Sequence, residues 1–247
     1  MKASVSPAAA IFVLLTLPCL AWVAGAQDVV VQKDGQRREG QITGVKADVL
    51  RIKVGPAETG IPMASVASVA MAAPKAFDET LAAWKAGDAN KTLSLLAPLV
   101  ANFNGLPTKW AERASALLGE AYLAAGKIDL AETAFGEFQK FYPGAASTAE
   151  VGLARLAIEK KDLTTARAKL VPIVEAAKAT KLPGTGESAV FGQALFLLGQ
   201  VQESSAENSE ALENYLLAVA LFHEDEAVTK KAAERAQILA EKNVIVP

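Results

Sequence analysis

The chain has 247 residues, 51% of them hydrophobic and 21% charged, which suits one or two domains with a real core and excludes a disordered chain. Its formal charge of −2, from 25 Lys and Arg against 27 Asp and Glu, gives no basis for nucleic acid or an acidic membrane as the main partner. A single cysteine and a single histidine exclude a disulfide framework and any His-based metal cluster.

Residues 1–26 read as a secretory signal peptide. Lys2 supplies a positive start, Ala8 to Leu17 an apolar run, and Pro18 a helix break. Ala24-Gly25-Ala26 offers small residues at the recognition positions, so cleavage is expected before Gln27. The apolar run is too short for an uncleaved spanning anchor. Cys19 lies inside this leader behind Pro18, which does not fit a lipidation site. The mature chain would therefore carry no thiol, and an exported protein without disulfides fits a bacterial periplasm.

Residues 27–73 are valine-rich and broken at short intervals by glycine-bearing turns. Val29-Val30-Val31 predicts a first strand and Asp34-Gly35 a hairpin turn. Gly40 to Val45 predicts a second strand, curved at Gly40 and Gly44. Val49-Leu50-Arg51-Ile52-Lys53-Val54 alternates, burying one face and leaving Arg51 and Lys53 in water. Gly55-Pro56 turns the chain, and Gly60 to Met63 and Val66 to Met71 supply two closing strands. Five short bent strands predict a small closed barrel, because closure removes exposed edges.

Ala72-Ala73-Pro74 is a hinge, after which residues 74–247 change to a helical period. Phe77, Leu81 and Trp84 share one helical face, ending at Gly87. Leu93, Leu95, Leu96, Leu99 and Phe103 predict the next helix, ending before Gly105-Leu106-Pro107. Pro172 falls inside a later helix, where a lost hydrogen bond would kink it. A last helix, Glu226 to Lys242, carries Ala232, Ala236 and Leu239 inward and points Glu234, Arg235, Glu241 and Lys242 outward.

Leu118-Gly119, Tyr122, Gly126, Ala131, Phe135 and Tyr142-Pro143 stand in an order that resembles the tetratricopeptide repeat (TPR), a helix–turn–helix unit of about 34 residues. Ala166 follows Ala131 by about one such period, with Leu153, Ala154, Ala157 and Leu170 in register. Leu198-Gly199, Ala211, Tyr215 and Ala218 match again, after a loop at 182–186 that adds roughly ten residues. The pair before Gly105 reads as a degenerate first repeat, with Thr92 in an alanine position. The resemblance implies a mainly α fold, a TPR-type helical-hairpin solenoid of about four repeats plus a capping helix. Residues 27–73, in turn, resemble Sm-like or SH3-like small barrels, with Lys46-Ala47-Asp48 supplying an aspartate but no asparagine to the loop that binds RNA in Sm-like proteins.

Chemistry is sparse in this sequence. Beside Glu224, Asp225 and Glu226, His223 is expected to cap a helix C-terminus. Leu182-Pro183-Gly184-Thr185-Gly186 lacks the lysine of a phosphate loop. Glu203, Glu207, Glu210 and Glu213 read as a solvated turn and helix start, and Lys230, Lys231 and Arg235 as a wet face. No catalytic residue, cofactor or metal site is therefore assigned.

The resemblance implies a protein-binding groove lined by the first helix of each pair. Carried over by the Leu-Gly register, it consists of Arg113, Glu120 and Leu123, then Val151, Arg155 and Glu159, then Gln193, Phe196 and Gln200. The set lacks the Lys and Asn of a carboxylate clamp, and Phe196 is expected as an exposed anchor. Phe141-Tyr142-Pro143-Gly144 resembles the repeats of cell-envelope assembly and cell-division coordination proteins. The expected function is an exported, non-catalytic scaffold for envelope proteins or peptides. The alternative is a structural, self-associating homo-oligomer.

Overall fold

In this computed structural model, residues 27–180, 183–184, 186–242 and 244–246 are described. The leader with Cys19, and Leu182 and Thr185 of the loop, lie outside the described residues.

The three valines centre β1 (Asp28–Gln32), with Val30 fully buried. Asp34 accepts a hydrogen bond from the Gln36 amide at 3.0 Å and closes the turn into β2 (Arg37–Lys46). This strand begins earlier than the glycine signal at Gly40, and the reason is pairing. Arg37–Gly40 ladder with β1, whereas Gln41–Lys46 ladder with β3 (Val49–Val54). The change of partner falls at Gly40, where a side chain would collide with the Lys53 carbonyl. β4 (Ala57–Pro62) and β5 (Val66–Ala70) complete an antiparallel sheet in the order β4-β3-β2-β1-β5. Alternation holds in β3 through Lys53, with Leu50 and Ile52 fully buried and Arg51 and Lys53 exposed, and ends at Val54, which is exposed at the strand's end.

Among the described residues nine helices follow: α1 (Lys75–Lys85), α2 (Ala89–Phe103), α3 (Lys109–Ala124), α4 (Ile128–Phe141), α5 (Ala146–Glu159), α6 (Leu163–Ala179), α7 (Glu187–Ser204), α8 (Asn208–Leu221) and α9 (Glu226–Glu241). The structure is thus mainly helical, with the five-stranded sheet on its N-terminal side. α6 runs through Pro172 as a single helix, and α2 likewise through Pro98. Side-chain caps from Asp88, Thr108, Asp162 and Asp225 start four of the helices.

The helices pair as hairpins closed by one recurring turn. Gly87, Gly126, Lys161 and Ala206 each adopt a left-handed φ, of 76°, 69°, 61° and 61°. Each donates to the carbonyl three residues back (Trp84, Leu123, Ile158, Glu203) at 2.9–3.1 Å, and the next amide reaches back to close the helix end. Only the first two turns carry the glycine this conformation favours. Lys161→Gly and Ala206→Gly should therefore each stabilise the protein by about 0.5–1 kcal/mol. The two turns lie in separate hairpins, so the gains should add in urea unfolding of the double variant.

Counted from that turn, the hairpins align position for position. Thr80, Gly119, Ala154 and Gly199 lie on the first helices, and Leu96, Phe135, Leu170 and Tyr215 opposite them on the second. A Cβ on Gly119 would fall 2.5 Å from the Phe135 ring, and one on Gly199 2.5 Å from the Tyr215 ring. Thr92, Ala131, Ala166 and Ala211 share one further position, and all are fully buried. Thr92 is accommodated there because its hydroxyl donates to the Asp88 carbonyl at 2.7 Å.

The sheet and the first three helices share one core. Val30, Ile42, Leu50, Ile52 and Ile61 pack into the same apolar cluster as Phe77, Leu96, Leu106 and Trp110. β2 reaches α2 at Gly44, where the ladder register shifts and a Cβ would lie 2.6 Å from the Asn102 carbonyl.

Tyr142 ties α4 back to the loop between α2 and α3. Its hydroxyl accepts from the Gly105 amide at 3.0 Å and donates to the Leu106 carbonyl at 3.4 Å. Burial pushes this phenol up to about 12, against the lowering effect of the Gly105 hydrogen bond. The folded state thus holds the proton more tightly than the unfolded chain. Its contribution is complete below the ordinary tyrosine value of about 10 and is lost as pH rises toward about 12. Tyr142→Phe should cost about 1 kcal/mol at neutral pH and make the alkaline fall in stability shallower. Tyr215, also raised by burial, keeps that fall from vanishing. Urea midpoints across the alkaline range measure both effects.

Candidate functional site

Helix contacts define the surface on which the predicted groove residues fall. α1, α3, α5, α7 and α9 touch one another in sequence, forming one layer of first helices. The second helices α2, α4, α6 and α8 each pack between the first helix of their own hairpin and the next one. The nine groove residues all belong to α3, α5 and α7 in that layer, but their environments differ.

Arg113 and Glu159 are exposed. Glu120 and Arg155 are half-buried and joined by an ion pair that bridges α3 and α5. They occupy the same place relative to their hairpin turns, as does half-buried Gln200 on α7, so this position runs as a stripe along the layer. Leu123 packs beside the cluster of Ala131, Phe135 and Leu156. Gln193 donates to the Asp225 carboxylate at 2.8 Å, fastening α7 to the cap of α9.

Two residues depart from expectation. Phe196 is 8% exposed and packs on Tyr215 with ring centroids 5.8 Å apart, so it is not an exposed anchor. Val151 is 1% exposed. Both share a hairpin position with Ala116, and that position points into the packing between helices. Their burial has one cause: both side chains are consumed by the packing of the fold itself.

The acids near the turn after α7 were expected to be solvated, and the structure pairs three of them across helices. Glu207 accepts from Arg167 at 2.7 Å and Glu213 from Lys178 at 3.0 Å. Glu203 accepts from the Tyr215 hydroxyl and from Arg235 Nε, each at 3.1 Å, and forms an ion pair with the same guanidinium. Arg235 was expected to face out and instead turns onto α7. Its hydrogen bonds to Glu203 hold the guanidinium pKa above its ordinary value. Burial raises the Tyr215 phenol, and the Glu203 charge adds to that rise. At the α5–α6 turn, the Thr165 hydroxyl and amide lower the Asp162 carboxyl, which follows from capping.

Open hollows flank these elements. Gln200, Glu203, Ser204 and Arg235 line one of about 400 Å³. A second, of about 550 Å³, lies between the start of α5 and one side of α6, with Ala168, Pro172, Ile173 and Ala176 beside the Glu150–Lys169 ion pair. A third, of about 530 Å³, opens on the sheet near Asp28, Glu39 and Lys53. His223 is exposed just beyond Phe222, the C-cap of α8. Among the described residues no three His, Cys, Asp or Glu side chains are placed to share a metal ion, and no helix is long and apolar enough to cross a membrane.

No protein-family model matches the chain, and no curated protein matches it. Among solved structures, the crystal structure of BtubC (BKLC) from P. vanneervenii is similar at 18% identity and a TM-score of 0.45. The match covers 66% of this chain and 74% of that one.

Proposed function

We propose that this chain is an exported, non-catalytic scaffold of the tetratricopeptide-repeat type that binds a protein or peptide of the cell envelope on its first-helix face. The observation that carries this reading is the recurring hairpin: the same left-handed turn in four successive units, a glycine set against an aromatic ring in two of them, and the first helices in one continuous layer. First helices in mutual contact, with second helices wedged between them, curve an array toward the first-helix side. That geometry makes a concave binding surface, which such repeats use. The bent sheet is read as a small barrel of the Sm-like or SH3-like kind, its end strands β4 and β5 joined through the short turn Met63–Ser65, and its role is to cap the first hairpin. The leader directs the chain to the periplasm.

Exposed and half-buried polar groups on this face, Arg113, Glu159 and Gln200, suit a modest, partly polar interface. Arg155 and Glu120 are poor probes because they hold α3 and α5 together. The test reverses the exposed charges, Arg113→Glu with Glu159→Lys, and compares recovery of envelope proteins with that of an outer-face control, Glu137→Lys with Glu175→Lys. Loss of about tenfold in partner recovery by the first pair alone is expected. Equal recovery by both pairs contradicts the proposed face.

A further inference from the structure

We propose that Gln27 is a modification site, at which the mature N-terminus closes on itself to pyroglutamate. The inference rests on the export reading, which cuts the leader after Ala24-Gly25-Ala26 and so leaves Gln27 first in the chain. An N-terminal glutamine carries its own electrophile. The α-amine nitrogen attacks the side-chain carbonyl carbon Cδ, forming a new C–N bond and a five-membered lactam. The bond from Cδ to the side-chain nitrogen breaks, and that nitrogen leaves as ammonia with the proton given up by the amine. No oxidant, reductant or further reactant enters.

This reaction needs a residue whose side chain can fold back onto its own nitrogen. A residue held in a β-ladder cannot do so freely, because its nitrogen is engaged in the ladder. Gln27 lies just outside that constraint. The ladder begins at Asp28, opposite Gly40, and the Asp28 carboxylate accepts from the Ile42 amide at 2.8 Å. The chain is therefore pinned immediately after Gln27, while Gln27 itself is exposed and in neither strand nor helix. It opens on the hollow shared with Glu39, Gln41 and Lys53, which leaves room for the ring.

The consequence is electrostatic and protective. A free terminal amine is largely protonated at neutral pH, and the lactam carries no charge. Cyclisation removes one positive charge beside Asp28 and Glu39 and leaves no amine for an aminopeptidase to engage.

The experiment expresses the full chain with its leader, recovers it from the exported fraction and measures its intact mass, with N-terminal sequencing as a second readout. The expected result is a chain beginning at residue 27, lighter by one ammonia and blocked to sequencing, while Gln27→Ala gives the uncyclised mass and sequences normally. A chain that starts at Gln27 with its full mass and a readable terminus overturns cyclisation and leaves the export reading standing. Another start in the exported fraction overturns cyclisation at Gln27 and leaves export standing, and an intact leader with no exported chain overturns both.

Discussion

Phe135→Ala is expected to destabilise the protein by about 3–5 kcal/mol and to lower Tm by about 6–20 °C. The ring is 1% exposed and lies between two glycines, Gly119 on α3 in its own hairpin and Gly152 on α5 in the next. A Cβ on either glycine would collide with it. Because no side chain projects from those two positions, little can collapse into the space the ring vacates, which puts the cost toward the upper part of the range. Gly152→Val presses on the same ring from the other side and should cost about 1–3 kcal/mol. Combining Phe135→Ala with Gly152→Val should recover part of the loss, because the valine then occupies the vacated volume. Hydrogen exchange should localise the Phe135→Ala damage to α3, α4 and α5, since units in a stacked array contact only their neighbours. A cost for Phe135→Ala below about 1 kcal/mol would show that the ring is not clamped.

Gly44→Val should act on a different joint, the seat of the sheet on α2. Its Cβ would meet the Asn102 backbone carbonyl, which belongs to a helix and cannot rotate away as a side chain can. We expect a loss of about 1–3 kcal/mol, with tryptophan fluorescence changing in the native baseline, because Trp110 belongs to the core that sheet and helices share and Trp84 packs against it. An alanine at Gly35, where a Cβ meets nothing within 4 Å, controls for general effects on the sheet through its left-handed turn alone. If Gly44→Val leaves stability and fluorescence at wild-type values, the sheet does not rest on α2.

Local pattern made parts of this molecule readable and left others hidden. The alternation of Val49 to Val54 marks β3 because each side chain's environment depends on its own strand. Gly119 and Phe135 are readable as a pair because they face each other within one hairpin, at fixed distances from one turn. Gly152 carries no such signal, since the ring it accommodates belongs to the preceding hairpin. Arg235 looks outward when α9 is considered alone, and it turns inward because Glu203 waits on α7. Phe196 fails as an anchor for the same reason: its hairpin position faces Tyr215 and the core, which the Leu-Gly register of one helix cannot express. Of the expected groove, the polar residues Arg113, Glu159 and Gln200 keep solvent access, and Val151 and Phe196 are spent on packing.

The proposed binding face is tested most directly by site-specific photo-crosslinking in the cell envelope. A crosslinker placed at Arg113 or Glu159, on the first-helix layer, should trap one and the same partner from both sites. A crosslinker at Glu137 or Glu175, exposed on second helices α4 and α6, should trap none of it. Adducts of equal yield from the two layers, or from the second helices alone, would contradict a scaffold that works through its first-helix face.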